Sequence, residues 1–240
     1  VQRRVDHLNE NYAKSYYGDI RPRTISAKFL LLHTLSHLLM KQLSFECGYS
    51  IASIKERIYC SEASEGKNMS GILIYTASGD SEGTMGGLVR QGRPDTFPTI
   101  FKRAIESAMT CSNDPVCSLS MGQGRDSLNL SACYACTLVP ETSCEEFNVF
   151  LDRGVIVGTY EEPEIGFFSH YIYQKENMTV LKKGDEEKTE RKNQLLITEV
   201  GMDLKNVDYT DVWRNMLQFS LNKHEKEAVS YTHLTLPTSD

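Results

Sequence analysis

The sequence has no excess of positive charge: 26 Lys and Arg stand against 32 Asp and Glu, a formal net charge of −6. That balance excludes an overall basic footprint, so any nucleic-acid contact must come from a local patch or a partner. No apolar run reaches the roughly 18 residues a membrane-spanning helix needs. The opening residues carry no signal-peptide pattern. No internal repeat, nucleophile elbow, kinase signature or dinucleotide fingerprint occurs. A Gly-rich loop does follow a strand-like run, with Gly79, Gly83, Gly86 and Gly87. It lacks the Gly-Lys-Ser/Thr ending of a phosphate-binding loop, and Asp80 and Glu82 would repel a phosphate.

What is present is cysteine in one place. Five of the seven cysteines, Cys111, Cys117, Cys133, Cys136 and Cys144, lie in one short stretch. Cys133 and Cys136 form a C-x-x-C knuckle, the spacing that brings two thiolates to one tetrahedral metal. Cys117 follows a Pro turn. Cys144 stands at the expected start of a helix, where the dipole favours a thiolate. Soft four-sulfur ligation points to zinc, with an iron–sulfur cluster as a weaker option. Buried structural thiols and a redox C-x-x-C are the competing readings. An odd cysteine number grouped as ligands fits a reducing cytoplasm better than a disulfide scaffold.

The longest apolar stretch predicts a helix from about Ala27 to Glu46, opened by Ser26 and closed by Gly48. Leucines cover more than half its circumference and leave a narrow seam of His33, Thr34, His37 and Lys41, which needs polar partners. His33 and His37 are one turn apart and could share a metal, but HTLSH lacks the Glu of a zinc-protease helix. Satisfied core histidines are the plainer reading. Asp80 and Glu82 are candidate acceptors for that seam, or turn caps.

Residues 1–19 predict a short helix and a loop, and Ser50 to Tyr59 a short helix or one running into a strand. GILIY (Gly71 to Tyr75) and GVIVG (Gly154 to Gly158) predict buried strands. Phe97 to Met109 predicts an amphipathic helix with Pro98 in its first turn. Around it, Arg90, Arg93, Lys102 and Arg103 form the best local basic cluster, suited to a nucleic-acid backbone or an acidic partner, or simply a solvated face. Ser143 with Glu146 reads as a capping box opening a helix through about Arg153. Beyond it, YIYQ, TVLKK and QLLITEV read as strands and DVWRNMLQFSL as a helix. The expected architecture is α+β: a helix-rich domain over 1–168 with a few short strands and a structural zinc knuckle, then a small α+β extension over 169–229. The chain opens without Met in a segment already under way, and residues 230–240 (SYTHLTLPTSD begins at Ser230) read as a non-native tail.

Several segments in order, LLHTLSHLLMKQLSFECGYS, GILIYTASGDSEGTMGGLV, CSNDPVC, SACYACTLVPETSC and FLDRGVIVG, make residues from about Val1 to Phe168 resemble the C-terminal part of DrmB, of the DISARM antiphage system. The same zinc-binding domain ends MrfA-type repair helicases. The resemblance implies a cysteine-ligated Zn2+ and a role beside a separate superfamily 2 helicase (DrmA-like) in a DNA-engaging, phage-restricting complex. It makes Cys117, Cys133 and Cys136 ligands. For the fourth, Cys144 is chosen on its helix-start argument, with Cys111 as the alternate because the helicase-appended domain places two cysteines before its C-x-x-C. After Phe168 the resemblance ends. A different class of function, a metal-dependent hydrolase or nuclease, would use His33, His37, Asp80 and Glu82 around a catalytic ion. The C-terminal domain of a repair helicase is a further alternative, and a thiol switch on Cys133 and Cys136 another.

Overall fold

A computed structural model describes residues 1–61, 69–76 and 87–172. The expected strands and helix beyond residue 172, the tail from Ser230, and the loop carrying Asp80 and Glu82 lie outside the described residues.

Everything described packs around one helix, α3 (Ala27–Cys47). The Ser26 side chain accepts from the Phe29 N–H at 3.1 Å, satisfying one orphan donor of the first turn. Gly48 ends it at φ 72, a left-handed conformation cheap only for glycine. Leu30, Leu35, Leu38, Met40 and Leu43 are buried, and from Leu32 to Met40 every residue is buried, while Phe45 near its end is exposed. Before it come α1 (Gln2–Lys14) and a short α2 (Tyr16–Ile20), a more helical start than one helix and a loop. The amphipathic α1 buries Val5, Leu8 and Tyr12, and the Tyr12 ring meets Phe150 edge-on at 5.2 Å.

After α3, a 3-10 turn (Ile51–Ser53) runs directly into β1 (Ile54–Ser61). Strand β2 (Met69–Thr76) returns antiparallel, with Ile54 opposite Thr76 and Glu56 opposite Ile74. This two-stranded sheet lays Ile54, Glu56, Ile72 and Ile74 against α3. A short α4 (Gly87–Gln91) leads to α5 (Phe97–Ser107), which has Pro98 in its first turn as expected and buries Phe97, Ile100, Phe101, Ala104 and Ile105. A one-turn α6 (Val116–Leu119) and a second, α7 (Gly154–Val157), sit in the irregular cysteine-bearing segment. The architecture is α+β and helix-rich, with one small sheet.

Two expected elements are absent from their places. GVIVG is helical rather than a strand: it forms α7, with Val155, Ile156 and Val157 buried. A four-residue apolar run has no period to separate buried helix from buried strand, and here the Asp152 carboxylate, accepting from Gly154 N–H at 2.9 Å, sets a helical turn. The helix expected from Ser143 to Arg153 does not form either. Ser143 Oγ donates instead to Ile51 O at 3.0 Å, and Arg23 holds the Glu146 carboxylate with bonds of 2.9 and 2.6 Å. With both halves of the capping box engaged elsewhere, the chain takes a 3-10 turn (Glu141–Ser143) and then an irregular path with Phe147, Asn148 and Phe150 at positive φ. Phe150 and Leu151 reach the core as expected; Phe147 is exposed. Tyr171 and Ile172, expected to open a strand, end the described chain in a helical turn on Phe168.

Candidate metal centre

Four sulfurs converge at one end of the cysteine-bearing segment: those of Cys111, Cys117, Cys133 and Cys136, all within 4.8 Å of one another. The Cys111–Cys133 separation is 3.5 Å, and Cys117–Cys136 and Cys133–Cys136 are each 3.8 Å. These are too long for any disulfide. A regular tetrahedron with zinc–sulfur bonds of about 2.3 Å has edges of about 3.8 Å, which these three separations match or approach.

The local chain explains the placement. Asp114 accepts from the N–H groups of Cys111 (2.8 Å) and Ser118 (3.0 Å), closing the loop that carries Cys111 and Cys117. The knuckle closes through Cys133 N–H to Cys136 Sγ at 3.3 Å, and the carbonyl of Cys133 accepts from Thr137 N–H at 2.9 Å. The sulfurs also accept from Asn113 N–H, Asn113 Nδ2 and Thr137 Oγ1 at 3.2–3.4 Å. Such donors favour thiolates over thiols.

As bare thiols Cys111, Cys117 and Cys136 do not ionise together. Cys136 is pulled down to about 4, chiefly by the S–H bond from Cys117, while burial pushes Cys111 up to about 11 and Cys117, the donor to Cys136, is raised as well. The Cys136 thiolate is accommodated readily; Cys111 and Cys117 need a cation to replace their protons. Two basic groups attend the cluster. Burial works against the Arg153 charge, but Asp114, Cys136 and Cys117 outweigh it and raise its pKa. Lys41, from the seam of α3, donates to Ala135 O at 3.3 Å, and burial pushes its pKa down against the opposing pull of the thiolates.

Cys144 is not in this cluster. It lies in the core beneath α3, its Sγ 3.2 Å from His33 Nε2, and Cys111 takes the fourth corner. The helix start that argued for Cys144 does not exist: the residue is extended at the end of a 3-10 turn, and its position is set by the strand and helix it packs against. His33 and His37 are both fully buried and share one partner, Glu56, at 3.1 and 3.4 Å. Asp80 and Glu82, considered as partners for these histidines, lie outside the described residues. Glu56 is the residue that sequence reading missed. Its signal was strand alternation: Ile54, Glu56 and Ile58 share a face, so a carboxylate between two isoleucines had to turn inward.

The α3 seam thus grips the cysteine-bearing segment along its length. His33 Nδ1 reaches Phe150 O at 3.2 Å, Thr34 Oγ1 accepts from Asp152 N–H at 3.0 Å, and His37 Nδ1 reaches Thr137 O at 3.1 Å. From α1, the guanidinium of Arg4 pairs with both oxygens of Asp152 at 2.7 and 2.8 Å and with Ser131 Oγ at 2.8 Å, all buried. The basic cluster is split. Arg103 is bound to Glu46 at 2.6 Å and Lys102 lies 3.9 Å from Glu106, whereas Arg90 and Arg93 are exposed and make no ion pair among the described residues.

Among the described residues no helix is long and apolar enough to cross a membrane. Residues 35–137 match the family model of the MrfA Zn-binding domain, a span that contains all four clustered sulfurs. The chain is also 48% identical over 140 residues to the DISARM protein DrmB of Bacillus paralicheniformis, covering 58% of this chain and 24% of that protein. It therefore spans about a quarter of the length of the curated relative it matches. The four-sulfur set thus lies in a segment similar to the MrfA Zn-binding domain and its donors suit zinc, in a chain that is also similar to a part of the DISARM protein DrmB.

Proposed function

We propose that this chain is the zinc-stapled part of a non-catalytic subunit in bacterial antiphage defence, which pairs with a superfamily 2 helicase and helps it engage DNA in the cytoplasm. The observation that carries the reading is the closed four-sulfur set, in a chain similar to DrmB over 140 residues. Cys111, Cys117, Cys133 and Cys136 would hold Zn2+; four thiolates fill a tetrahedral ion and leave no position for water or substrate. The ion's part is then mechanical: it fastens a segment with little regular structure so that α3 and α1 can dock on it. Arg90 and Arg93 supply exposed charge for a phosphate backbone, with Arg103 and Lys102 beside them already engaged to carboxylates.

The hydrolase alternative requires imidazoles on an open cleft. His33 and His37 have no exposed surface and face Glu56 and Cys144, an arrangement that offers no route to a substrate. The geometry favours the structural reading.

The test is co-expression of the full-length protein with a superfamily 2 helicase encoded beside it, followed by phage plating and DNA binding. Wild type is expected to co-purify with the helicase and restrict phage, and Cys133→Ser to lose both. Arg90→Glu with Arg93→Glu is expected to leave the complex intact but weaken DNA binding and lower its log–log salt slope by about 2, near 0.9 per lost phosphate contact. A wild-type protein that never binds the helicase would overturn the reading.

A further inference from the structure

We propose that His33, His37, Glu56 and Cys144 form a second metal centre, a buried tetrahedral site for a zinc-class divalent cation, distinct from the four-sulfur cluster. One donor atom from each lies within 4.8 Å of the other three. His33 Nε2 is 3.2 Å from Cys144 Sγ and 3.1 Å from Glu56 Oε1, and His37 Nε2 is 3.4 Å from the same oxygen. Zinc–nitrogen and zinc–oxygen bonds of about 2.0–2.1 Å and a zinc–sulfur bond of about 2.3 Å give tetrahedral edges of about 3.3–3.6 Å. These three separations are within a few tenths of an ångström of such edges, and the remaining ones lie within 4.8 Å.

The protons argue the same way. Each histidine faces a backbone carbonyl through Nδ1, Phe150 O at 3.2 Å for His33 and Thr137 O at 3.1 Å for His37. A carbonyl only accepts, so both Nδ1 atoms carry hydrogen, which leaves Nε2 of each ring facing the centre as the atom that would give up its proton to a metal. This is how metal-ligating histidines are oriented by their outer partners. Both Nε2 atoms face a carboxylate and a sulfur, which are electron-pair donors. His37 Nε2 and Glu56 Oε2 are buried and make no hydrogen bond. Donors grouped in this way, with two buried polar atoms unsatisfied, call for positive charge between them, from a histidine proton or from a metal ion that displaces it.

A divalent ion supplies it with neutral balance: two uncharged imidazoles, one thiolate and one carboxylate cancel +2. Neutrality suits a core site, since an uncompensated buried charge is costly. The surrounding backbone is shaped for the anionic ligands. Cys144 Sγ accepts from the N–H groups of Glu146 (3.3 Å) and Asn148 (3.2 Å), and Glu56 Oε1 accepts from Glu145 N–H at 3.3 Å. The left-handed conformations of Phe147 and Asn148, at φ 51 and 60, curl the chain around that sulfur. Non-glycine residues adopt such angles at a cost that a site can explain. Two nitrogens, one sulfur and one oxygen select zinc among common ions, and four protein ligands make the site structural. The proposal rests on these four residues alone and stands whether or not the chain serves antiphage defence.

The experiment is metal content and zinc X-ray absorption on the full-length chain, purified under reducing conditions without chelator, for wild type, Cys144→Ala, His37→Gln and Cys133→Ser. Two zincs per chain are expected, sharing five sulfurs in all, with two nitrogens and one oxygen on the second. Cys144→Ala and His37→Gln should each fall to one zinc held by four sulfurs, while Cys133→Ser should retain a zinc with mixed donors. If these variants do not fold, the wild-type count and donor ratio decide alone. One zinc on four sulfurs in wild type would overturn the second centre and leave the first intact. One zinc on mixed donors would support the second centre and remove the first. A metal-free, folded wild-type protein would overturn both.

Discussion

The two clusters of ligand-type side chains differ in how the chain builds them. The four-sulfur cluster is assembled within residues 111–136, by two turns and the bonds each makes to its own backbone. The cluster of His33, His37, Glu56 and Cys144 draws on α3, β1 and the irregular segment after Pro140. The first lies near the surface, with Cys111 half-buried and Tyr134 of the knuckle 77% exposed; in the second no donor residue exceeds 6% exposure. A site made of neighbours can form before the domain does. A site made across the core exists only once the domain has folded, and any ion there would report on the whole fold.

Breaking the first cluster gives the largest expected effect. Cys133→Ser with Cys136→Ser removes both sulfurs of the C-x-x-C from the four-sulfur cluster. Structural zinc contributes roughly 10–16 kcal/mol in apparent binding, against a total domain stability of about 5–15 kcal/mol. The cooperative thermal transition seen by circular dichroism should disappear, and limited proteolysis should cut between residues 109 and 137 first. A variant that melts like wild type would mean that the knuckle does not fasten the fold.

Next comes Arg4→Ala. Arg4 ties Ser131, from the end of the cysteine segment nearer the first cluster, to Asp152, beside the second. Its removal leaves the Asp152 carboxylate buried without its cation, at a cost of about 3–5 kcal/mol in urea denaturation. Thr34→Val tests one bond of the α3 seam. It keeps the shape but leaves the buried Asp152 N–H unsatisfied, so a loss of about 1–3 kcal/mol is expected in the same assay. A change well below that range would show that the helix holds the segment by apolar packing alone.

The smallest effect belongs to the surface. Arg103, 54% exposed, and then Gln42 hold the Glu46 carboxyl below its ordinary pKa. A depressed carboxylate contributes stability above its unfolded value of 4.5 and loses it as pH falls through the lower folded value. Solvent screening limits the contribution to about 0.2–1 kcal/mol. Arg103→Ala should move the Glu46 titration, followed by NMR, back up toward 4.5, and high salt should do much the same. An unchanged Glu46 titration in the variant would refute the pairing.

The contrast between the clusters also explains what could be read in advance. Ser26 and Gly48 mark the ends of α3 in the sequence because caps act on their own helix. GILIY is a strand in both sequence and structure, bounded by turn residues and rich in branched side chains. The C-x-x-C is legible for the same reason, since its geometry is local. GVIVG and the Ser143–Glu146 pair were misread because their outcome depends on Asp152, Ile51 and Arg23, residues that are distant in sequence or whose local bond competes with the expected one.

The sequence by itself determined that this protein has a buried helix with a polar seam, a short sheet and a thiol-rich segment able to hold zinc. Each follows from periodicity or short-range spacing. Only the tertiary structure decided which sulfur completes the four, and that Glu56 faces the histidines. Cys111 and Cys144 are alike as residues. What separates them is that one closes a loop held by Asp114, while the other is carried under α3 by the packing of the whole core.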